Sequence, residues 1–394
     1  MKETIKETVL NKLHLIYGDV IDERIANRLY KEIETLEKID KLSEIEVVVD
    51  IINKNKNEGD LIVPCLSLPN SFLLYLLGIN NVNPLPRHTY CPKCHSFSWG
   101  ENKGDICPYC GDTLIKDGYD LDYELFIKDF EKPNHYCFYT SNKNEDNSYV
   151  RLTSSMELKL AKELGLNQHD IDALPKDKDE ILRYIDRPLF EDKYKKIHLI
   201  HHSPFIGLSD IGNPIIEELC KKYQTYSFND LVKIISMYHS TGVIDANNNE
   251  FDNLNDFITS RDDLYAFLKG NQFNSDDAYK ICKEVRANGE GHLSYSSEEK
   301  LKESLVDEKY ISLIKEIRYI FHKGHIISHL SLLVVLAKIY LNEPRRYYRA
   351  YFNINKDIYN LIDKDEDLIN SLIKSKSTEL EKIYLGLIDL KERM

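Results

Sequence analysis

Cys91–Cys110, CPKCHSFSWGENKGDICPYC, carries two Cys-x-x-Cys knuckles with twelve residues between them. Pro follows the first Cys of each knuckle, and Gly111 follows the last. Two tight turns at this spacing present four thiolates tetrahedrally to one Zn²⁺. Four sulfurs leave no open coordination position. Cys91, Cys94, Cys107 and Cys110 therefore predict a structural zinc, which contributes folding energy and performs no chemistry. The flanks are more informative. Asn81–Tyr90, NVNPLPRHTY, runs into the knuckles, and Lys116–Phe126, KDGYDLDYELF, runs out of them.

Beyond this stretch, 394 residues with 42% hydrophobic content allow two or three domains, each with its own core. The opening MKETIKETVLNK is charged and amphipathic, unlike a secretory signal. The longest apolar run, Ile326 to Leu341, contains His329 and Lys338 and is too short to span a bilayer. Of eight cysteines, four lie in the knuckles. Cys65, Cys137, Cys220 and Cys282 are scattered and read as free, buried thiols of a reducing, cytoplasmic interior. A net charge of −13 argues against a general nucleic-acid binder. Between Lys309 and Arg349, however, eight Lys and Arg face only Glu316 and Glu343. A basic strip inside an acidic protein marks a contact surface for DNA or an acidic partner.

Along the chain, Lys2 to Leu42 reads as helices, with Leu10, Leu13, Leu15 and Ile16, then Ile25, Leu29, Ile33 and Leu36, at helical spacing. Glu44 to Ile52 is β-branched, as a strand or a short buried helix. Asn53 to Asp60 reads as a polar loop, Leu61 to Val63 as a strand and Phe72 to Leu77 as a helix. Ser227 and Asp230 form a capping-box signature before a helix. Met156–Leu164, Ser260–Tyr265 and Ala278–Arg286 continue the helical pattern, as does Lys356–Met394.

Gly78–Pro86 (GINNVNPLP), the paired Cys-Pro-x-Cys knuckles and Lys116-Asp117-Gly118 together resemble the PolC-type alpha subunit of bacterial DNA polymerase III. The resemblance returns at His239–Gly242 and Ile317–His325, and ends with Tyr347–Phe352. It implies an α+β fold: a polymerase-beta-like palm with an inserted four-Cys zinc ribbon, a reduced thumb and a mainly α-helical fingers domain. The expected boundaries are a palm at 1–145 with the ribbon at 88–115, a thumb remnant at 146–190, a palm strand at 191–205, fingers at 206–354 and C-terminal helices at 355–394.

The resemblance also marks what is missing. The family holds triphosphate in a Gly-Ser-rich turn, whose backbone must approach phosphate closely. The matching residues here, Val63–Ser71 (VPCLSLPNS), contain no Gly, and Pro64 and Pro69 have no amide to donate. The family's paired aspartates, which hold two Mg²⁺, align with Asn134 and Tyr136, and its third palm aspartate aligns with His198. Asp120 and Asp122 form an alternative carboxylate pair, and His198, His201 and His202 an alternative metal cluster, although both read better as non-catalytic. Lys323 and His325 match the family's phosphate-facing element. With Arg318, Arg345 and Arg346 they are the candidate phosphate or nucleic-acid contacts. The implied function is DNA replication by a catalytically degenerate PolC relative. It would bind DNA or replisome components, including the genuine polymerase, as a phage or mobile-element modulator would. A minimal active polymerase and a zinc-stabilised adaptor that never touches nucleic acid are the alternatives.

Overall fold

A computed structural model describes residues 5–100, 104–131, 134–142, 144–172, 208–211, 213–225, 227–287 and 293–355. Three helices open the chain: α1 (Ile5–Tyr17), α2 (Glu23–Lys38) and α3 (Leu42–Asn57). In α2, Ile25, Leu29, Ile33 and Leu36 form one buried stripe, and the Asp22 side chain caps the helix by accepting from the Arg24 amide. Leu15 of α1, expected with the apolar face, is instead exposed, because Val9, Leu13 and Tyr17 occupy the inner stripe. The β-branched run is helical, and so is most of the expected loop after it. Ile45, Val48 and Ile52 are buried at helical spacing, and that burial overrides strand propensity.

A four-stranded sheet follows, in the order β1 (Ile62–Pro64), β5 (Tyr136–Thr140), β7 (Val150–Ser154) and β6 (Glu145–Asp146). β1 and β5 are antiparallel, and β5 and β7 parallel. Ile62, Tyr136, Phe138, Val150 and Leu152 point to a core shared with α1–α3, α4 (Phe72–Leu76) and α5 (Tyr123–Phe130). On the opposite face, Val63 and Tyr139 pack against the helical half of the chain. The sheet runs past residue 145, so β7 belongs with the first segment rather than with the expected thumb.

The knuckles lie in a second sheet, ordered β3 (Phe97–Trp99), β2 (His88–Tyr90), β4 (Ile115–Asp117). The exit of this module pairs with its entrance. Tyr119, Asp120 and Leu121 amides donate to the Asn83, Leu85 and Pro84 carbonyls at 3.1, 3.0 and 2.9 Å. Gly118 (φ +97°) is required there, since a Cβ would stand 2.4 Å from the Pro86 oxygen. This pairing explains why the NPLP and KDG segments occur together.

Among the described residues the rest is helical: α6 (Met156–Glu163), α7 (Gln168–Asp172), α8 (Pro214–Lys222), α9 (Phe228–His239), α10 (Val243–Glu250), α11 (Arg261–Gly270), α12 (Ser275–Ala287), α13 (Tyr295–Glu303), α14 (Glu308–Glu316), α15 (Lys323–Asn342) and α16 (Pro344–Ile354). The capping box of Ser227 and Asp230 forms as read. α15 is long and apolar enough to cross a membrane, but it is mostly buried, surrounded by α6, α9, α11 and α16. The fold is α+β, and one continuous core joins α15 to Val63 of β1 and Leu121 beside the four-cysteine module.

Candidate functional site

The four knuckle sulfurs lie within 4.8 Å of one another. The two turns are built alike. His95 N–H donates to Cys91 O at 2.9 Å, and Gly111 N–H to Cys107 O at 3.0 Å. Both donors are left-handed, at φ 56° and 75°. A set of four converging thiols fits one metal ion. The module is docked on the end of α1. His95 Nδ1 lies 3.2 Å from Ile16 O, and a Cβ added to Gly18 would meet the His95 Cβ at 2.7 Å. Tyr17 packs against His88, Tyr90 and Phe97. Stripping the metal with a chelator under reducing conditions is expected to remove hydrogen-exchange protection from residues 88–117 and the last turn of α1, while α9–α16 keep theirs. Unchanged protection over 88–117 would contradict a metal-dependent module.

The turn after β1 is closed by the chain's own groups. Leu66 adopts φ 56°, and its N–H donates to His325 Nδ1 at 3.1 Å. Ser67 Oγ donates to Asp129 at 2.7 Å, and Arg28 Nη2 donates to Asn70 O at 2.8 Å. Asn70 Nδ2 donates to Asp262 Oδ1 at 2.6 Å and Asp122 O at 3.0 Å. The start of α15 presses on the same turn. A Cβ on Gly324 would lie 2.8 Å from both Asn70 Oδ1 and Pro69 Cβ. Helix N-termini attract anions, and here the chain supplies them. Asp262 Oδ2 accepts from the Lys323 amide at 2.9 Å, and Glu32 accepts from the Phe72 amide at 3.0 Å and from the Ser71 hydroxyl.

Buried charges tie the two halves together beneath this turn. Arg261, 1% exposed, forms a two-pronged bond to Asp129 at 2.8 and 3.0 Å. Tyr279 also donates to Asp129, at 2.9 Å. Burial alone would raise the Asp129 pKa, but the Arg261 guanidinium outweighs it and holds the carboxyl well below its ordinary range. Burial raises the pKa of Asp262, opposed by its bonds to Asn70 and the Lys323 amide.

Asp120 and Lys323 line one cleft with Arg87, Asp230 and Lys233, and Asn134 and Tyr136 are not part of its lining. Asn134 is exposed ahead of β5. Tyr136 is fully buried, its ring 4.4 Å from that of Phe130, on the face turned away from the helical half. The β5 residues that face the helices are Cys137 and Tyr139, neither of them a carboxylate. Asp120 is an exposed left-handed turn residue, and Asp122 caps α5 by accepting from Glu124 N–H at 2.9 Å. His198, His201 and His202 lie outside the described residues. So do Lys356–Met394.

Lys323 and His325 diverge. Lys323 Nζ is 3.3 Å from Asp263, which raises its pKa. His325, expected to face phosphate, is buried between Tyr139 and Phe321. Burial, reinforced by His329 and His239 against Asp210, lowers its pKa to about 3, so a neutral ring accepts the Leu66 N–H. Arg346 is committed to Leu164 O at 2.6 Å and Glu343 at 3.0 Å, and Lys315 to Glu298 at 3.1 Å. Arg318, Arg345 and Arg349 are exposed.

Sequence reasoning missed a buried carboxylate between two imidazoles. Asp210 stands 2.8 Å from His239 and 3.4 Å from His329. Burial would raise the Asp210 pKa, but the two histidines lower it. No sequence spacing announces a cluster drawn from three separate segments. The Arg261-Asp262-Asp263 run was visible, but only as the start of a helix.

Residues 3–134 match the family model described as the bacterial DNA polymerase III alpha NTPase domain. Most of the chain is also similar to proteins named DNA polymerase III PolC-type. It is 24% identical to that of Clostridium perfringens over 97% of this chain and 35% of the relative. It is 22% identical to that of Thermotoga petrophila over 94% and 36%, and 22% identical to that of Bacillus subtilis over 91% and 34%. The chain thus spans about a third of the length of these relatives. The likeness read from NPLP and the knuckles extends well beyond those motifs.

Proposed function

We propose that this chain is a PolC-like palm-and-fingers protein that has lost nucleotidyl transfer. It acts in the cytoplasm, in DNA replication, by binding a protein of the replisome such as the genuine PolC-type polymerase, and its four thiolates hold a structural Zn²⁺. The observation that carries this reading is the closed turn. Where a polymerase needs free amides for a triphosphate, Leu66 donates to His325, and Asp262 already occupies the start of α15. Nucleotidyl transfer depends on metal-held electrostatics, and β5 offers no carboxylate on the face turned to the helices.

A protein partner is favoured because much of the basic strip is neutralised within the chain, at Lys315, Lys323 and Arg346. DNA is the second reading, carried by the exposed Arg318, Arg345 and Arg349. A pull-down of the host polymerase by the tagged full chain at moderate salt separates the two. Co-purification that survives nuclease is expected, with binding to primed DNA weak and little changed by Arg318→Glu. Nuclease-sensitive capture, with affinity for primed DNA that falls steeply with salt and on Arg318→Glu, would overturn the protein reading.

A further inference from the structure

The ladder between β1 and β5 continues one residue beyond β1. Pro64 is registered opposite Phe138, and the Cys65 amide donates to the Cys137 carbonyl at 3.0 Å. Cys65 and Cys137 are therefore directly opposed. Alternation places both side chains on the face that carries Val63 and Tyr139. Opposed residues in a hydrogen-bonded antiparallel pair have Cα atoms about 5.5 Å apart, inside the roughly 4.4–6.8 Å that a disulfide spans. Both thiols are free. Cys137 is half-buried, its thiol donating to the His135 carbonyl at 3.5 Å, and Cys65 lies buried. The other two thiols outside the knuckles, Cys220 and Cys282, stand on separate helices, α8 and α12.

We propose that Cys65 and Cys137 form a reversible cross-strand disulfide, a redox modification site that ties the Cys65–Ser71 turn to β5. The oxidant is a peroxide or a small-molecule disulfide. With hydrogen peroxide, the Cys137 sulfur attacks one oxygen, the O–O bond breaks, and a sulfenic acid and water form. The Cys65 sulfur then displaces the sulfenic oxygen, which leaves as a second water with the Cys65 proton. The pair loses two electrons and two protons, and peroxide gains them. With oxidised glutathione, Cys137 forms a mixed disulfide and releases one glutathione thiol, and Cys65 releases the second. Burial raises both thiol pKa values, so the bond forms slowly at neutral pH and faster as pH rises. Opposed Cβ atoms on paired strands stand about 4.5–5.5 Å apart and a disulfide holds them at about 3.5–4.5 Å, so closure draws the two strands slightly together. It fixes the turn that brings the Leu66 amide to His325.

The test equilibrates the metal-loaded full chain with graded mixtures of reduced and oxidised glutathione, then applies acid quench, alkylation, digestion and mass spectrometry. The expected product is one cross-linked peptide pair joining Cys65 to Cys137, lighter by two hydrogens and restored by dithiothreitol. The oxidised form is expected to unfold at higher urea. Cys137→Ser, at a half-buried position, should keep the fold and lose both the cross-link and the urea shift. Cys65→Ala provides the second variant. The inference is overturned if Cys137 stops at a glutathione adduct with Cys65 still alkylatable, if both thiols stay alkylatable at the oxidising end, or if either links instead to a knuckle cysteine.

Discussion

Arg261→Ala is expected to lower the unfolding free energy by about 3–5 kcal/mol, the typical cost of stranding one partner of a buried ion pair. The partner left behind is Asp129, which would keep the Ser67 and Tyr279 hydroxyls and the nearby His322 ring. The pair joins α11 to α5, so the damage should fall on the contact between the helical half and the sheet half. The sign with pH follows from the depressed Asp129 pKa. Its stabilisation is present above the unfolded carboxyl pKa of about 3.9 and is lost as pH falls below it. The gap between wild type and variant should therefore narrow in acid. Replacing both partners, as Arg261→Met with Asp129→Leu, should recover most of the loss, since apolar substitutes of similar volume are tolerated. Urea unfolding at neutral pH measures all three proteins. A loss below about 1 kcal/mol for Arg261→Ala, the range of exposed pairs, would mean that the pair is solvated and the halves are not locked.

Gly324→Ala gives a prediction whose sign is the test. In an ordinary helix the change gains about 0.5–1 kcal/mol. Here the new methyl would lie 2.8 Å from Pro69 Cβ and Asn70 Oδ1 and 3.2 Å from Leu121 Cδ1. Overpacking of that kind costs about 1–3 kcal/mol, so a net loss is expected on urea unfolding. It should be accompanied by faster hydrogen exchange at Leu66 as the turn is pushed off His325. A net gain would show that the turn does not rest on α15.

Much of this was legible in the sequence for definite physical reasons. The knuckles have a spacing that only a converging turn pair satisfies, and the four sulfurs do converge. The α2 stripe repeats at helical period and is buried accordingly. The β-branched segment of α3 left strand and buried helix both open, because side-chain type favours a strand while the burial of Ile45, Val48 and Ile52 requires a helix. Lys323 and His325 were read together from their match to one family element. Residues two apart on a helix do not share a face, and the two side chains go to Asp263 and Leu66 respectively. Arg261, Asp262 and Asp263 have the composition of a solvated helix start. Nothing local reveals that Asp129 and Asn70, far away in sequence, meet Arg261 and Asp262 in the interior.

The central claim is that the chain's own side chains fill the place where a polymerase would hold triphosphate. Primer extension by the pure full-length chain, with Mg²⁺, all four deoxynucleoside triphosphates and a primed template, tests it most directly. No template-directed product above a protein-free control is predicted. Sequence-dependent incorporation that disappears on Asp120→Asn or Asp122→Asn would contradict it.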